Sequence, residues 1–355
     1  MRSALIPNTY RRQSPIIGWD IGGVNVKGAC LEEQVRVVSL ASEIWREKDR
    51  LPDVLLNAFA VIRPRVPPKA MAVTMTAELS DVFATKREGV LYLLQTMINC
   101  FPDVPAYALS LWGEFVLLSE ARTRPLDFAA ANWVASALWV SKQCPNCVLL
   151  DIGSTTTDII PIVDGKVNVS ARTDLDRLSS GELVYTGVLR TNLATIVQSV
   201  PVAGRLCRVA SEYFAVSGDV HLILGSLRPE DYVCTTPDGR PPSLDSARKR
   251  VARLVCADTE MLPAAAIEEI ARYVYARQIG QIRDGLEQVI SRLPMLRNQP
   301  AFVLGMGSFL GAAAVAGMGL EIRTLAGNWG QAESAAAPSL AAAFLLAEQL
   351  GAGLK

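Results

Sequence analysis

The sequence contains one histidine and has no net charge, and each of these shortages excludes a class of function. Its 355 residues hold 35 Lys and Arg against 35 Asp and Glu, giving a formal net charge of +0. Nucleic-acid-binding proteins usually carry a basic excess, so we expect no nucleic-acid partner. A Ser/His hydrolase would have to use His221, and no Gly-x-Ser-x-Gly motif accompanies it.

Membrane and secretion signals are also missing from the sequence. The apolar stretch Ala4–Ile6 is too short for the core of a signal peptide. The run Ala301–Leu320 has no charge and is long enough to span a bilayer. Its glycines favour a strand, a glycine turn and a helix of small residues instead. We therefore expect a soluble, cytoplasmic protein without a membrane partner.

The cysteines indicate reduced thiols rather than a disulfide framework. There are seven, an odd number, and free thiols are typical of cytoplasmic proteins. Cys144 and Cys147 have CxxC spacing, but a zinc site would need a second such pair nearby, and the sequence has none. An iron–sulfur cluster shared between two subunits stays an alternative. We expect an ordinary turn with buried thiols.

A recurring motif predicts the domain organisation. Half of the residues are hydrophobic, so the chain can bury a large core, and its length suggests two domains. Ile16–Asp20 and Cys147–Asp151 predict buried strands, and each leads into Asp-Ile-Gly. We therefore expect two domains of similar design, 1–145 and 146–330, the second with a helical insertion. The C-terminal helix of 331–355 should pack back on the first domain.

The two repeats have a chemistry suited to phosphate groups. Each places a carboxylate, Asp20 or Asp151, at the end of a strand, before glycines that let the backbone approach a ligand. Backbone N–H groups in such turns bind anions, and two facing aspartates can hold Mg²⁺ through water. The sequence thus predicts a clamp for a di- or triphosphate, with both aspartates as metal ligands. The predicted phosphate contacts in the two repeats are Gly22, Gly23, Lys27, Gly153, Ser154, Thr155 and Thr156.

A structural explanation competes with each motif. Either repeat alone would be better explained as a β-hairpin with a glycine turn, and the presence of two favours the clamp. Gly305 and Gly307 follow a third predicted strand and precede a helix, whose N-terminus could face an anion. Close packing of that helix on the strand is the alternative.

These motifs together resemble the acetate/sugar kinase, heat-shock chaperone and actin superfamily, and within it the hydantoinase/oxoprolinase-related group. The nearest resemblance is to the one-carbon-pathway family that includes the furanmethanamine synthase of methanofuran biosynthesis. The matching segments span most of the chain: Asp20–Gly28, Thr74–Leu79, Asp151–Asp158, Ser180–Gly187 and Thr236–Arg240. The resemblance implies an α/β fold of two ribonuclease-H-like (actin-like ATPase) domains. Each would have a mixed sheet flanked by helices, with a ligand cleft between the domains.

For function, the resemblance implies a transferase that serves tetrahydromethanopterin-linked one-carbon metabolism. It would join an aminomethyl-furanmethyl diphosphate to the phenol oxygen of a glutamyl-tyramine or glutamyl-tyrosine acceptor and release diphosphate. Asp20 and Asp151 would hold Mg²⁺, while Lys27 and the 154–156 loop would bind diphosphate. ATP is not required under this interpretation, and a homodimer is compatible with it.

The proton acceptor and the reaction class stay open at this point. Glu78 or Glu182 would take the phenol proton, with a surface salt bridge as the alternative for each. An ATP-dependent kinase or amide-ring hydrolase could use the same loops, and so could a non-catalytic nucleotide switch.

Three further expectations concern local structure. Phe128–Val140 is predicted to be one long helix, and the part of the second half up to about Pro242 to be rich in loops. Arg248–Arg250 should lie on the solvated face of a helix.

Overall fold

A computed structural model of the chain describes residues 15–324 and 330–352; the segment Ala4–Ile6 lies outside them. In chain order the strands are β1 (Ile16–Ile21), β2 (Asn25–Leu31), β3 (Arg36–Ala41), β4 (Ala70–Met75), β5 (Ala106–Leu109), β6 (Phe115–Leu117), β7 (Cys147–Ile152), β8 (Thr157–Val163), β9 (Lys166–Val167), β10 (Leu183–Val184), β11 (Ser199–Val202), β12 (Arg205–Arg208), β13 (Ala301–Leu304) and β14 (Ile322–Thr324).

The helices surround these strands in both halves of the chain. They are α1 (Ile44–Glu47), α2 (Leu51–Ile62), α3 (Lys86–Cys100), α4 (Leu118–Ala121), α5 (Asn132–Ser141), α6 (Asp174–Ser180), α7 (Leu193–Ile196), α8 (Ser217–Ile223), α9 (Leu244–Arg253), α10 (Ala264–Arg292), α11 (Ser308–Val315), α12 (Gln331–Ala335) and α13 (Ala337–Ala352). Short 3-10 helices lie at Lys48–Arg50, Pro125–Phe128, Pro229–Asp231 and Pro294–Leu296.

The described chain divides into two compact units, and the first is discontinuous in sequence. Unit 1 contains the residues up to Leu149, the segment Ile162–Asp174 and the described residues after Arg323. Unit 2 contains Leu150–Pro161 and Leu175–Arg323. The last helix of the chain, α13, therefore belongs to the same unit as the first strand.

The sheet of unit 1 is mixed and has the strand order β3-β2-β1-β4-β5-β6. β1 and β2 are antiparallel, with Asp20 opposite Lys27, and β1 and β4 are parallel, with Asp20 opposite Thr74. All residues of β1 and β4 are buried, which is typical of central strands covered on both faces. Because these strands are parallel, their carboxyl ends lie side by side at one edge of the sheet.

Helices α2 and α3 cover one face of this sheet. In α2 the buried residues Leu51, Leu55, Ala58 and Ile62 recur at helical spacing and join the core that contains Trp19 of β1. Each large aliphatic side chain buried in this way contributes about 1.5–3 kcal/mol to stability.

Helices α5 and α13 contribute a second packed layer to unit 1. Gly18 of β1 lies so near to α13 that a Cβ there would be 1.8 Å from the carbonyl oxygen of Ser339. Trp139 of α5 stacks on Phe344 of α13 with ring centroids 4.5 Å apart. Since only glycine allows this approach, the sequence of β1 is adapted to the helix that packs on it.

The second sheet has the strand order β10-β8-β7-β13-β14, with β9 paired to β8. In unit 2 the long helix α10 packs against α8, α9 and α11. Its buried residues Ile267, Ile270, Ala271 and Val274 join the core of that unit.

One sequence prediction about an element is wrong, and another is right but incomplete. The predicted helix Phe128–Val140 begins only at Asn132, because Ala130 has a φ of +51°, which an α-helix does not allow. The section up to Pro242 is rich in loops, as predicted, although it also contains the hairpin β11–β12 and helix α8. Partners distant in the sequence stabilise the hairpin, so its local pattern does not predict it.

The uncharged run Ala301–Leu320 forms strand β13, a glycine turn and helix α11, as its glycines predict. Across the described residues, no helix combines the length and the apolar character that crossing a membrane demands.

Candidate active site

Asp20 and Lys27 form an ion pair on neighbouring strands. Lys27 Nζ lies 3.4 Å from Asp20 Oδ2, and the carboxylate is almost fully buried while Lys27 stays partly exposed. Burial raises the pKa of Asp20, and the Lys27 charge offsets part of that effect. The other carboxylate oxygen, Oδ1, has no hydrogen-bond partner in the described part of the chain. One oxygen of Asp20 is therefore available to a ligand.

The donor set around Asp20 fits a hydrated divalent cation better than a metal held by protein alone. Among residues 15–324 and 330–352, no three His, Cys, Asp or Glu side chains come together as a ligand group. Mg²⁺ keeps several waters and is usually bound by one or two carboxylates plus substrate phosphates. The free oxygen of Asp20 suits that role.

The loop after β4 is tied to the end of β1. The Ile21 carbonyl accepts hydrogen bonds from the N–H groups of Thr76 and Ala77, at 2.9 and 3.2 Å. These bonds fix the start of the loop that carries Glu78. Glu78 therefore lies at the same edge of the sheet as Asp20.

The glycine turn of the first repeat closes against this loop. The Gly22 N–H donates to the Asn25 carbonyl at 3.0 Å, and a Cβ on Gly23 would lie 3.4 Å from Ser80 Oγ. The turn is thus held next to Ser80, two residues beyond Glu78.

Glu78 is a buried carboxylate with little compensation for its charge. The residue is 1% exposed, and its Oε2 has no hydrogen-bond partner among the described residues. Burial raises the pKa of Glu78 to about 7, although its own N–H, Lys86 and the Ala130 N–H act to lower it. Ala130 has left-handed backbone geometry, which is strained for a residue with a Cβ. The surface salt bridge considered for Glu78 is wrong, since this side chain is buried.

Glu182 has a different environment in unit 2. Its carboxylate is fully buried, and Oε1 lies 2.8 Å from Arg292 Nη2. The backbone carbonyl of Glu182 accepts hydrogen bonds from the Ile159 N–H at 2.8 Å and from Arg177 Nη2 at 2.9 Å. The salt bridge considered as the alternative is present, but its carboxylate is buried and only Arg292 is partly exposed.

The second repeat forms a tight loop after β7. Asp151 is buried at the strand end, and the Gly153 N–H donates to the Thr156 carbonyl at 2.9 Å. The hydroxyls of Ser154 and Thr155 lie 3.4 Å apart. This loop offers hydroxyl groups and no side-chain cation of its own.

A backbone segment, Thr186–Arg190, supports this loop. Three of its N–H groups donate to the carbonyls of Gly153 and Ser154, at 2.9 to 3.1 Å. A Cβ on Gly187 would lie 2.6 Å from the backbone nitrogen of Thr155, so the two backbones touch. We call Thr186–Arg190 the supporting segment.

Gln278 of α10 anchors the supporting segment. The side chain is fully buried, and its Nε2 donates to Thr186 Oγ1 at 3.0 Å and to the Gly187 carbonyl at 2.8 Å. The Thr157 hydroxyl also donates to the Thr186 carbonyl, at 2.8 Å. The loop geometry therefore depends on a long-range contact from α10.

Close packing accounts for the glycines of the third motif. A Cβ on Gly305, whose φ is +82°, would lie 2.3 Å from the Ile152 carbonyl oxygen. A Cβ on Gly307 would lie 2.3 Å from Ile152 Cγ2. Close packing is therefore sufficient to explain why Gly305 and Gly307 are glycines. Phosphate contacts at these two residues stay a prediction.

Arg250 corrects the prediction that Arg248–Arg250 is solvated. Its guanidinium is fully buried, with Nη2 at 2.6 Å from Asp219 Oδ1 and Nη1 at 2.9 Å from Asp238 Oδ1. Burial raises the pKa of Asp219, and Arg250 acts to lower it. Asp238 comes from the Thr236–Arg240 segment, so this motif supplies one of the two carboxylates that pair with Arg250.

His221 and the CxxC cysteines have packing roles. His221 is fully buried in α8, and Phe309 and Tyr275 meet its ring edge-on at 5.0 and 5.9 Å. Burial lowers the pKa of His221 to about 4, so it is neutral at physiological pH. Cys144 and Cys147 are buried thiols, and the Cys147 thiol donates to the Cys144 carbonyl at 3.6 Å.

The structure brings together some of the predicted site residues within each unit. Asp20, Lys27 and Glu78 share one edge of unit 1, and Asp151 precedes the 153–156 loop of unit 2. Sequence reasoning missed the supporting segment, although the motif Ser180–Gly187 ends inside it. That motif is the signal that could have revealed it.

Comparisons with known proteins identify the family. Residues 69–349 match the hydantoinase/oxoprolinase family. The chain is 35% identical over 337 residues to the (4-{4-[2-(gamma-L-glutamylamino)ethyl]phenoxymethyl}furan-2-yl)methanamine synthase of Methanocaldococcus jannaschii, covering 94% of this chain and 98% of that one. A synthase of the same name from Methanococcus vannielii is 36% identical over 213 residues, 59% of this chain and 94% of its own.

A solved structure supports the fold assignment. Nucleotide-free acetone carboxylase has a TM-score of 0.59, covering 92% of this chain and 70% of that chain at 11% identity. At such identity the likeness concerns the fold alone. With the strand orders above, it confirms the predicted α/β fold of mixed sheets flanked by helices. The chain is an enzyme and belongs to the hydantoinase/oxoprolinase family, in the branch that contains the (furan-2-yl)methanamine synthases.

Proposed function

We propose that this enzyme is an aryl-ether-forming transferase of methanofuran (methylofuran) biosynthesis. It joins an aminomethyl-furanmethyl diphosphate to the phenol oxygen of a glutamyl-tyramine or glutamyl-tyrosine acceptor and releases diphosphate. The observation that carries the proposal is the 35% identity to the Methanocaldococcus jannaschii synthase over 94% of the chain. The name of that synthase contains a phenoxymethyl-furan ether, the bond such a transfer forms. We place the product in tetrahydromethanopterin-linked one-carbon metabolism.

The proposed reaction exchanges one carbon–oxygen bond for another. The bond from the furfuryl carbon to diphosphate breaks, and its electron pair leaves with the diphosphate. The phenol oxygen bonds to that carbon, and the phenol proton passes to a base on the enzyme. Because a furan ring stabilises positive charge on the adjacent carbon, stabilising the leaving group supplies much of the rate acceleration.

Glu78 is the base that we assign to the phenol proton. Its pKa of about 7 and its unpartnered Oε2 support this role, since a base works best when its pKa lies near the operating pH. Glu182 is less suited, because Arg292 already pairs with its carboxylate.

Diphosphate binding is assigned to the glycine turns and their neighbours. Lys27 would contribute a positive charge, and the partial exposure of its side chain supports contact with a ligand. The 153–156 loop would contribute backbone N–H groups and hydroxyls. When bound, Mg²⁺ would neutralise charge on the leaving diphosphate. The carboxylates that we assign to Mg²⁺ are Asp20 of unit 1 and Asp151 of unit 2.

Product analysis tests this function. Purified enzyme with the furanmethyl diphosphate donor, a phenolic acceptor and Mg²⁺ should form the furan–phenol ether and inorganic diphosphate in equal amounts, measured by mass spectrometry and a diphosphate assay. Omitting the acceptor should stop both, and chelating Mg²⁺ should strongly reduce both.

The same experiment distinguishes the rival functions when ATP is added. Steady ADP formation with a second substrate and no ether would indicate a kinase or amide-ring hydrolase. Slow ADP formation without any ether would indicate a nucleotide switch. Under our proposal ADP formation is negligible.

A further inference from the structure

We propose that Arg190 is a further substrate-binding residue, which contacts the diphosphate group through its guanidinium. The inference rests on the proposed function and adds a cation to the 153–156 loop of unit 2. Arg190 lies outside every motif that predicted phosphate contacts, and it follows the Ser180–Gly187 motif by three residues.

The backbone of Arg190 is fixed to the loop. Its N–H donates to the Ser154 carbonyl at 3.1 Å, next to the bond from Leu189 N–H to the same oxygen at 2.9 Å. Ser154 is one of the predicted phosphate contacts. The Cα of Arg190 therefore cannot move away from the loop without breaking a hydrogen bond.

The loop lacks a cation that the diphosphate would require. Its own side chains are hydroxyls, and the carboxylates Asp151 and Asp158 flank it. Asp158 already pairs with buried Arg177 at 2.9 Å. A polyanion placed there would face neutral and negative groups, unless another cation reaches it.

The Arg190 side chain is free to supply this charge. It is partly exposed, and in the described part of the chain it makes no hydrogen bond or ion pair through its guanidinium. Its charge lowers the pKa of Tyr213 against the larger raising effect of burial, so the guanidinium lies near that half-exposed phenol. An unpaired guanidinium is suited to phosphate, because its planar N–H groups match two phosphate oxygens.

Two Arg190 variants and a matched control test the inference through binding. Inorganic diphosphate, titrated calorimetrically into the Mg²⁺-supplemented enzyme, should bind about tenfold or more weakly to Arg190→Gln. Arg190→Lys should lie between that variant and the wild type. The control Arg205→Gln removes the same charge from an exposed position beside the turn of hairpin β11–β12 and should bind as the wild type does.

Steady-state kinetics show whether Arg190 contacts the diphosphate donor or the acceptor. The KM for the diphosphate donor should rise in Arg190→Gln, while the KM for the acceptor stays unchanged. Wild-type diphosphate affinity in that variant, equal weakening by Arg205→Gln, or a rise confined to the acceptor KM would each overturn the inference. So would a wild-type enzyme that does not bind diphosphate. Diphosphate binding that depends on Arg190, without any ether formation, would instead contradict the proposed function alone.

Discussion

At the scale of single residues, Glu78 combines features that rarely occur together. It is nearly inaccessible, one of its oxygens has no partner among the described residues, and its pKa is raised to about 7. Leaving a carboxylate in this state costs stability when it is ionised, because burial disfavours the charged form. Such a cost is typical of a group retained for its reactivity.

The pH dependence of the reaction should follow the ionisation of Glu78. The ionised form accepts the proton, so kcat/KM should rise with pH, with a midpoint near 7, and then level off. Glu78→Gln should lower kcat about 100-fold or more and remove this dependence. Rate measurements between pH 5.5 and 9 check both effects. Any pH dependence that remains in Glu78→Gln reports the ionisation of the diphosphate donor.

Stability should change in the opposite direction with pH. The folded pKa of Glu78 lies above its ordinary value, so the folded state binds the proton more tightly, and stability falls as pH rises through about 4.5 to 7. Glu78→Gln should reduce this fall by up to about 3 kcal/mol. Glu260→Gln, at an exposed position, is the control and should leave activity and this fall unchanged. An unaltered pH profile in Glu78→Gln would contradict the assignment.

Of all the features of the structure, the surroundings of individual side chains were the hardest to predict from the sequence. Arg250 was expected at the surface, and a surface salt bridge was one of two alternatives for Glu78. The partners that bury them come from far along the chain: the Ala130 N–H in one case and the Asp219 carboxylate in the other. A local pattern cannot specify such contacts, because they form only when the whole unit folds.

At the scale of elements, the supporting segment is the feature on which the second loop depends. Gly187→Ala places a methyl group 2.6 Å from the Thr155 nitrogen, which must push the two backbones apart. We expect a loss of about 1–3 kcal/mol in unfolding free energy and a raised KM for the diphosphate donor. Urea unfolding and steady-state kinetics measure these effects.

Gly280→Ala is the matched control for this substitution. Gly280 lies inside α10, and a Cβ there meets nothing within 4 Å. Alanine has the higher helix propensity, so this variant should gain about 0.5–1 kcal/mol and keep the wild-type KM. Equal effects of the two variants would show that the close backbone contact is unimportant.

The regular elements that carry the loops were largely predictable. Continuous apolar runs specify β1 and β7, and the Asp-Ile-Gly repeat marks the turns that follow them. The hairpin β11–β12 was not foreseen, since its short strands have weak periodicity and pack against the core formed with α9 and α10. The supporting segment has no regular structure, so no periodicity could reveal it.

At the scale of the whole molecule, the last helix completes the unit that the first strand begins. Phe344 of α13 stacks on Trp139 and is nearly inaccessible. Phe344→Ala should therefore lower the unfolding free energy by about 3–5 kcal/mol. Thermal and urea unfolding of the full-length enzyme measure the loss.

A neighbouring position on α13 provides the comparison. Glu348 pairs with Lys142 at 2.9 Å, and both side chains are more than a third exposed. Glu348→Ala should cost less than about 1 kcal/mol. Similar losses in both variants would argue against a dominant contribution from the aromatic contact.

The approach of Gly18 to Ser339 has a consequence for synthesis on the ribosome. The strand that carries Gly18 is translated long before the helix that covers it, because the two are far apart in the sequence. At about 5–20 residues per second, the nascent chain waits roughly 15–60 seconds before that helix is available. During this interval an apolar sheet surface stays uncovered, which makes the growing polypeptide a client for chaperones that bind emerging hydrophobic segments.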